Sequence, residues 1–370
     1  MQNSKISLVL AFLFIHLAVF QTISPVVAQT PKYSNEFLSI GVGARALGMS
    51  NAFISIAGDA TAGYWNPAGL LKIESNIQVA LMHTEYFAGI AQYDYGSMAF
   101  NIDEISALGF SYLRFGVDDI PNTTELIDSE GNINYDRIQS FSASDNAFIF
   151  SYARRLKDNL DLGVNAKIIR RTAGSFAGAW GFGLDAGIQY QMDEWNFALM
   201  GRDITSTFNA WSYDLDDAMR EVFTLTGNEI PENSLEITLP RFIIGASRSF
   251  FFTETFEMLA SVDLNITTDG KRNVLIKGDP ISIDPAMGVE LNYNQLIFLR
   301  AGMGNYQQYS TPGEKFRSSI QFNMGVGVVI RDILALDYAL TDLGDNSIAL
   351  YSNIFSLRFN INRREDQLND

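Results

Sequence analysis

From Trp180 to Tyr190 the residues alternate at every second position. Trp180, Phe182, Leu184, Ala186, Ile188 and Tyr190 fall on one face, and Gly181, Gly183, Asp185, Gly187 and Gln189 on the other. A period of two belongs to an extended strand whose sides meet different surroundings. Leu160, Leu162, Val164, Ala166 and Ile168 alternate in the same way with Asp161, Gly163, Asn165 and Lys167. So do Met258 to Ile266 and Ile320 to Val328. About fourteen such segments run from Ile77–Gly89 to Ile348–Asn360. Large apolar residues on one face, with glycine and polar residues on the other, predict strands with a lipid-facing exterior and a polar lumen.

The connections between these segments alternate in length. Asp103–Ile105, Leu156–Asn159, Met192–Glu194, Asn294–Gln295 and Arg331–Ile333 are tight. Gly116–Ser144, Asp203–Pro240, Thr268–Ala286 and Met303–Ser318 are long. Bacterial barrels have short periplasmic turns and long outer loops. The expected fold is therefore all-β: a transmembrane antiparallel β-barrel of about fourteen strands over residues 76–362, with a polar tail over 363–370.

Two segments before the barrel read differently. Lys5 followed by the apolar run Ile6–Phe20 and by Val26-Val27-Ala28 has the layout of a secretory signal, cleaved after Ala28. The run is shorter than the roughly 20 residues of a spanning helix. Residues 29–75 are rich in Gly, Ala and Ser, with few charges, chiefly Arg45, Asp59, Lys72 and Glu74. Such a segment suits a compact plug folded into a narrow lumen. Asp59 is placed to cap a short helix through Trp65, which Pro67 ends.

Composition narrows the function. The 370 residues are 47% hydrophobic, yet no second apolar run is long enough for a helical span. The chain has no cysteine, which removes disulfides, a lipid-anchoring thiol and thiolate metal ligands. A formal net charge of −16 argues against nucleic-acid binding. The loop 203–240 carries Asp203, Asp214, Asp216 and Asp217 beside Trp211. These residues read either as solvated surface or as a docking surface for a basic or cation-bridged partner. They lack the glycine and distal glutamate of a calcium loop, so no metal is expected. His83 is the one histidine beyond the signal, and with Asp185, Asp263, Glu290 and Asp337 it is expected to line the lumen. Arg45, a charge within the plug, should pair with a lumenal carboxylate such as Asp185 or Asp263. Asn66-Pro67-Ala68-Gly69 reads as a fixed turn seating the plug, or as a latch beside an opening. No catalytic constellation and no cofactor site emerges.

Gly41-Val42-Gly43-Ala44-Arg45-Ala46-Leu47-Gly48-Met49, Asn51-Ala52-Phe53, Gly58-Asp59-Ala60 and Tyr64-Trp65-Asn66-Pro67-Ala68-Gly69-Leu70 together resemble the N-terminal signature of the PorV/PorQ family of Bacteroidetes outer-membrane proteins. His83-Thr84-Glu85-Tyr86, Gly163–Lys167 and Gly183–Gly187 extend the resemblance. The Asn-Pro-Ala piece is also similar to the hatch of FadL-type fatty-acid channels. The resemblance implies a fourteen-stranded barrel with a plug. Its implied partners are outer-membrane lipids, the type IX secretion translocon, attachment-complex proteins and secreted cargo. The FadL likeness implies the alternative, a channel for hydrophobic small molecules.

Overall fold

The computed structural model describes residues 34–123, 126, 133–309, 317–343 and 351–362. The expected signal peptide, the first plug residues and the polar tail lie outside the described residues.

Strands β1 (Ile77–Tyr86), β2 (Ala91–Asp103), β3 (Ser106–Asn122), β4 (Gln139–Lys157), β5 (Leu160–Ala173) and β6 (Ala177–Met192) form an antiparallel meander. β7 (Trp195–Arg202) continues it, followed by β8 (Thr207–Tyr213) and β9 (Ser234–Thr238). Then come β10 (Arg241–Phe251), β11 (Phe256–Thr267), β12 (Ser282–Tyr293), β13 (Ile297–Tyr309), β14 (Arg317–Ile330), β15 (Leu334–Leu343) and β16 (Ser352–Ile361). β16 pairs back onto β1, from Ile77 opposite Ile361 to Glu85 opposite Asn353, so the wall closes. Closure removes the free edges of the ring, which a hydrocarbon environment requires, while β9, bonded to β8 alone, keeps one side unpaired among the described residues.

Fourteen strands make the closed ring. β8 and β9 belong to a stretch that the sequence pattern read as loop. β7 pairs with the half of β6 from Ala186 to Met192, and β8 with the half from Ala177 to Phe182. β7 and β8 are thus successive pieces of one interrupted line, and β9 pairs with β8 beside it. Between β8 and β9 lies α3 (Asp217–Leu225), whose first turn is capped by Asp216 accepting from the Met219 amide.

The alternation along β6 is realised in space. Trp180, Phe182, Ile188 and Tyr190 are exposed, whereas Gly181, Gly183, Asp185, Gly187 and Gln189 are buried. At about 3.3 Å per residue and a tilt of about 40°, the stretch from Trp180 to Tyr190 rises about 25 Å, the height of a barrel's apolar band with its aromatic girdles.

Residues 34–75 fold inside the ring as short pieces: a 3-10 turn at Glu36–Ser39, α1 (Ala44–Gly48), α2 (Ala62–Trp65) and a 3-10 helix at Pro67–Lys72. Their apolar side chains, among them Val42, Phe53, Ile54, Trp65 and Leu70, pack on inward residues such as Tyr93, Leu113, Ile169, Met200 and Ile354 to form the core. Around the plug the lumen is therefore a packed apolar core with embedded charges, where the sequence pattern predicted a polar interior. Inward glycines make the room. A Cβ on Gly163 would run into Pro67 and Ala68, and one on Gly302 into the Met49 backbone.

Candidate functional site

The polar interior is organised around the plug. The Arg45 guanidinium lies against the Glu290 carboxylate of β12, with Nε at 2.9 Å and Nη2 at 2.8 Å. Glu290 also accepts from Arg300 at 2.5 Å, and Arg300 reaches Asp337 at 2.6 Å. The partner of Arg45 is therefore Glu290 and neither Asp185 nor Asp263. The reason is positional: α1 packs against β13, β14, β15 and β16, on the side of the ring where Glu290, Arg300 and Asp337 project. Arg45 also stacks on the Phe53 ring, 5.4 Å from its centroid.

Asp59 does not cap α2 directly. Its carboxylate accepts from the Thr61 amide at 2.9 Å and hydroxyl at 2.5 Å, and from Arg358 of β16 at 3.1 Å. Burial alone would raise this carboxyl, but Arg358 and Arg45 outweigh burial and hold it below the usual carboxylate range.

The Asn66-Pro67-Ala68-Gly69 turn is buried at the wall. Asn66 Nδ2 donates to the Ile188 carbonyl of β6 at 3.1 Å, while its Oδ1 accepts from Ala68 N at 3.2 Å. Pro67 opens the following 3-10 helix, where its missing N–H costs nothing. Gly69 sits so close to the Ala57 carbonyl that no Cβ fits there.

Asp263 is fully buried and carries no ion pair among the described residues. Its Oδ2 accepts from the Phe53 amide at 2.7 Å and the Ile54 amide at 3.0 Å, which fastens the plug backbone to β11. Arg202 of β7, unremarked in the sequence, performs the same task two strands away, with only β10 between. It donates to Leu38 O at 2.9 Å and Tyr64 O at 3.1 Å, and lies 4.5 Å over the Tyr64 ring.

A second charged cluster seals the interruption between β7 and β8. The Lys167 ammonium donates to Asp185 at 2.7 Å and to Asp203 at 2.5 Å, and the Asp203 amide donates to Asp185 at 2.8 Å. Lys167 is 3% exposed and Asp203 8%, so Asp203 is not a loop-surface acid as its sequence position suggested. Trp211 is half-buried inside β8, donating to Glu236 at 2.7 Å beneath Arg171. Asp214, Asp216 and Asp217 are exposed. The expected docking loop is thus split between a buried clamp and a solvent-facing acidic end.

His83 lies outside the lumen. The inward residues of β1 are Gln78, Ala80, Met82 and Thr84, so His83 faces outward, with Nδ1 2.7 Å from Asp94 Oδ1. Arg114 and Asp118 extend that outer row. The sequence set His83 in the opposite phase to Ala80 and Met82 but did not say which phase faces inward. Apolar character on both faces hid which side was the interior. Among the described residues, no cluster of three or more His, Asp or Glu side chains is arranged to hold a metal ion.

The model of the family described as type IX secretion system protein PorV matches residues 28–220, just over half of the chain. None of the curated proteins matches it in sequence. In fold it is similar to the CymD monoaromatic hydrocarbon channel (12% identity, 88% of this chain and 98% of that one, TM-score 0.54). It is also similar to the Pseudomonas putida toluene transporter TodX (12%, 87% and 98%, 0.52) and to a Pseudomonas aeruginosa FadL homologue (13%, 86% and 98%, 0.50). These likenesses show the fold, a β-barrel like that of the FadL homologue. The matched stretch covers the plug and strands β1 to β8 and ends within α3, and by that match the chain belongs to the PorV family of type IX secretion system proteins.

Proposed function

We propose that this protein acts without catalysis, as an accessory of type IX protein secretion that binds other proteins at the outer membrane. It would engage folded cargo at the translocon and deliver it to the surface-attachment machinery. It would be exported by a signal cleaved after Ala28, with its long connections outside the cell. The observation that carries this reading is the packed lumen. The plug is held to the wall by Arg45–Glu290, Asp59–Arg358, Arg202 and Asp263, an arrangement suited to a rigid scaffold. The exposed carboxylates of Asp214, Asp216 and Asp217 at the long-connection end supply a surface that a basic partner can meet.

The fold neighbours include proteins whose names describe hydrocarbon transport, and a channel for hydrophobic molecules is the competing reading. The cavity at the long-connection end disfavours it, because its walls include Glu36, Arg241, Asp284 and Asp342. The test is affinity purification of the tagged protein from native outer membranes, with identification of the co-purifying chains. Recovery of translocon, attachment and cargo proteins is expected. A strain lacking the protein that secretes normally but fails to take up a hydrophobic nutrient would overturn the secretion reading.

A further inference from the structure

A cavity of about 580 Å3 lies between the plug and the long-connection ends of β10 to β15. Its plug side includes Ser50 and Asn51, two consecutive non-glycine residues with left-handed backbone, at φ 52° and 67°. Asn305 and Asp342, on its other walls, also have positive φ. Such positions are uncommon and re-aim side chains that a regular strand would point elsewhere.

The hydrogen-bonding capacity facing this cavity is unbalanced. Ser50 and Thr267 are 7% and 9% exposed, and neither hydroxyl has a hydrogen-bond partner. Asn51 Oδ1 and Asp284 Oδ1 are likewise buried and unpartnered. Buried polar atoms are rarely left so, and four around one cavity mark a place where a ligand completes the bonding. The cations of the wall are already engaged: Arg241 and Arg272 both pair with Glu36, at 3.3 and 2.9 Å, and Arg272 also with Asp269 at 2.5 Å. Neither Asp284 nor Asp342 forms an ion pair among the described residues; the cation acting on Asp284 is Arg241, which is already paired with Glu36. Among the described residues Asp342 accepts from neutral groups, the Gln321 amide and the Thr341 hydroxyl.

We propose that this cavity binds a lysine or arginine side chain presented by a polypeptide segment of a partner protein, with Asp284 and Asp342 as the counter-charges. Bonds to Asn51 Oδ1 and to the Ser50 and Thr267 hydroxyls complete its hydrogen-bonding shell. A charged donor with several N–H groups satisfies acceptors and neutralises carboxylates together, which a neutral ligand cannot do. The exposed Asp214, Asp216 and Asp217 at the same end of the barrel favour the approach of a positive segment. The inference rests on the protein-binding reading above and names the chemistry of the docked segment.

The test uses the full mature protein in detergent micelles. Binding of labelled hexalysine is measured by fluorescence anisotropy, with a neutral Gly-Ser hexapeptide and maltohexaose as comparators. The wild type should bind hexalysine alone, more weakly as salt rises. The double variant Asp284→Asn/Asp342→Asn preserves side-chain shape and should weaken binding by roughly tenfold or more. Thr267→Leu, which fills the cavity without changing charge, should weaken it too. The exposed triple variant Asp214→Asn/Asp216→Asn/Asp217→Asn should retain most of the affinity. Unchanged hexalysine binding in both cavity variants would overturn the proposal, as would preferential binding of maltohexaose. Absence of hexalysine binding while secretion proteins still co-purify would remove this inference and leave the protein-binding reading standing. Hexalysine binding without co-purifying proteins would do the reverse.

Discussion

Glu290→Gln is the sharpest perturbation of the plug. Glu290 is the carboxylate shared by two guanidiniums, with side chain 5% exposed between Arg45 and Arg300. The amide keeps the shape and removes the charge. Arg45 then loses its bidentate partner, and Arg300 keeps only Asp337 at 2.6 Å. Removing one member of a buried pair typically costs about 3–5 kcal/mol, because the remaining charge is left uncompensated. Arg45→Ala is the informative comparison. It leaves Glu290 still paired with Arg300, so the loss is closer to that of charge-assisted hydrogen bonds, about 1.5–3 kcal/mol, together with the Phe53 stack. The destabilisation falls on the seating of the plug before it reaches the wall, whose backbone pairing is untouched. Single-channel conductance in planar bilayers and urea denaturation of the purified protein read the two levels separately. Glu290→Gln should open the lumen more often than Arg45→Ala, and both more than wild type, with the barrel transition little moved. If Glu290→Gln is as tight and as stable as wild type, electrostatic clamping of the plug is wrong. If Arg45→Ala is the more damaging, the shared-carboxylate argument is wrong.

Leu184→Arg, on the lipid face of β6, should cost roughly 2–4 kcal/mol at mid-membrane depth. Asp185→Asn should also be costly, because it strips Lys167 of one of its two carboxylates. Unfolding midpoints in which only Leu184→Arg is damaged would show the Lys167 cluster to be dispensable. Gly302→Leu should expel the segment around Met49 and raise conductance, whereas Gly227→Leu, where no neighbour lies within 4 Å, should leave conductance unchanged. Burial lowers the Lys72 ammonium from its usual 10.5 to about 8, partly offset by Asp161. A base whose pKa is depressed on folding is penalised while protonated, so stability should rise with pH from about 8 to 10.5. Lys72→Met should abolish that increment in pH-dependent denaturation.

The sequence by itself determined the wall. A period of two with large apolar residues in one phase has one economical outcome in a membrane, so β6, β5, β11 and β14 and the number of ring strands were legible in it. The small-residue segment around Asn66-Pro67 suited a plug, but that inward glycines such as Gly163 and Gly302 make room for it emerged only from the structure. Tertiary structure alone decided the pairings. Arg45 had several lumenal carboxylates within its type, and only the placement of α1 selected Glu290. Asp203 looked like one more loop acid until the break between β7 and β8 brought it beside Lys167. His83 was placed in the wrong phase because β1 is apolar on both faces: it meets the plug on one side and lipid on the other. Alternation reports a contrast between two environments, and where the plug makes the interior as apolar as the membrane, that contrast disappears. Which charges meet across a ring depends on strand order, register and the path of the plug, none of which local periodicity encodes.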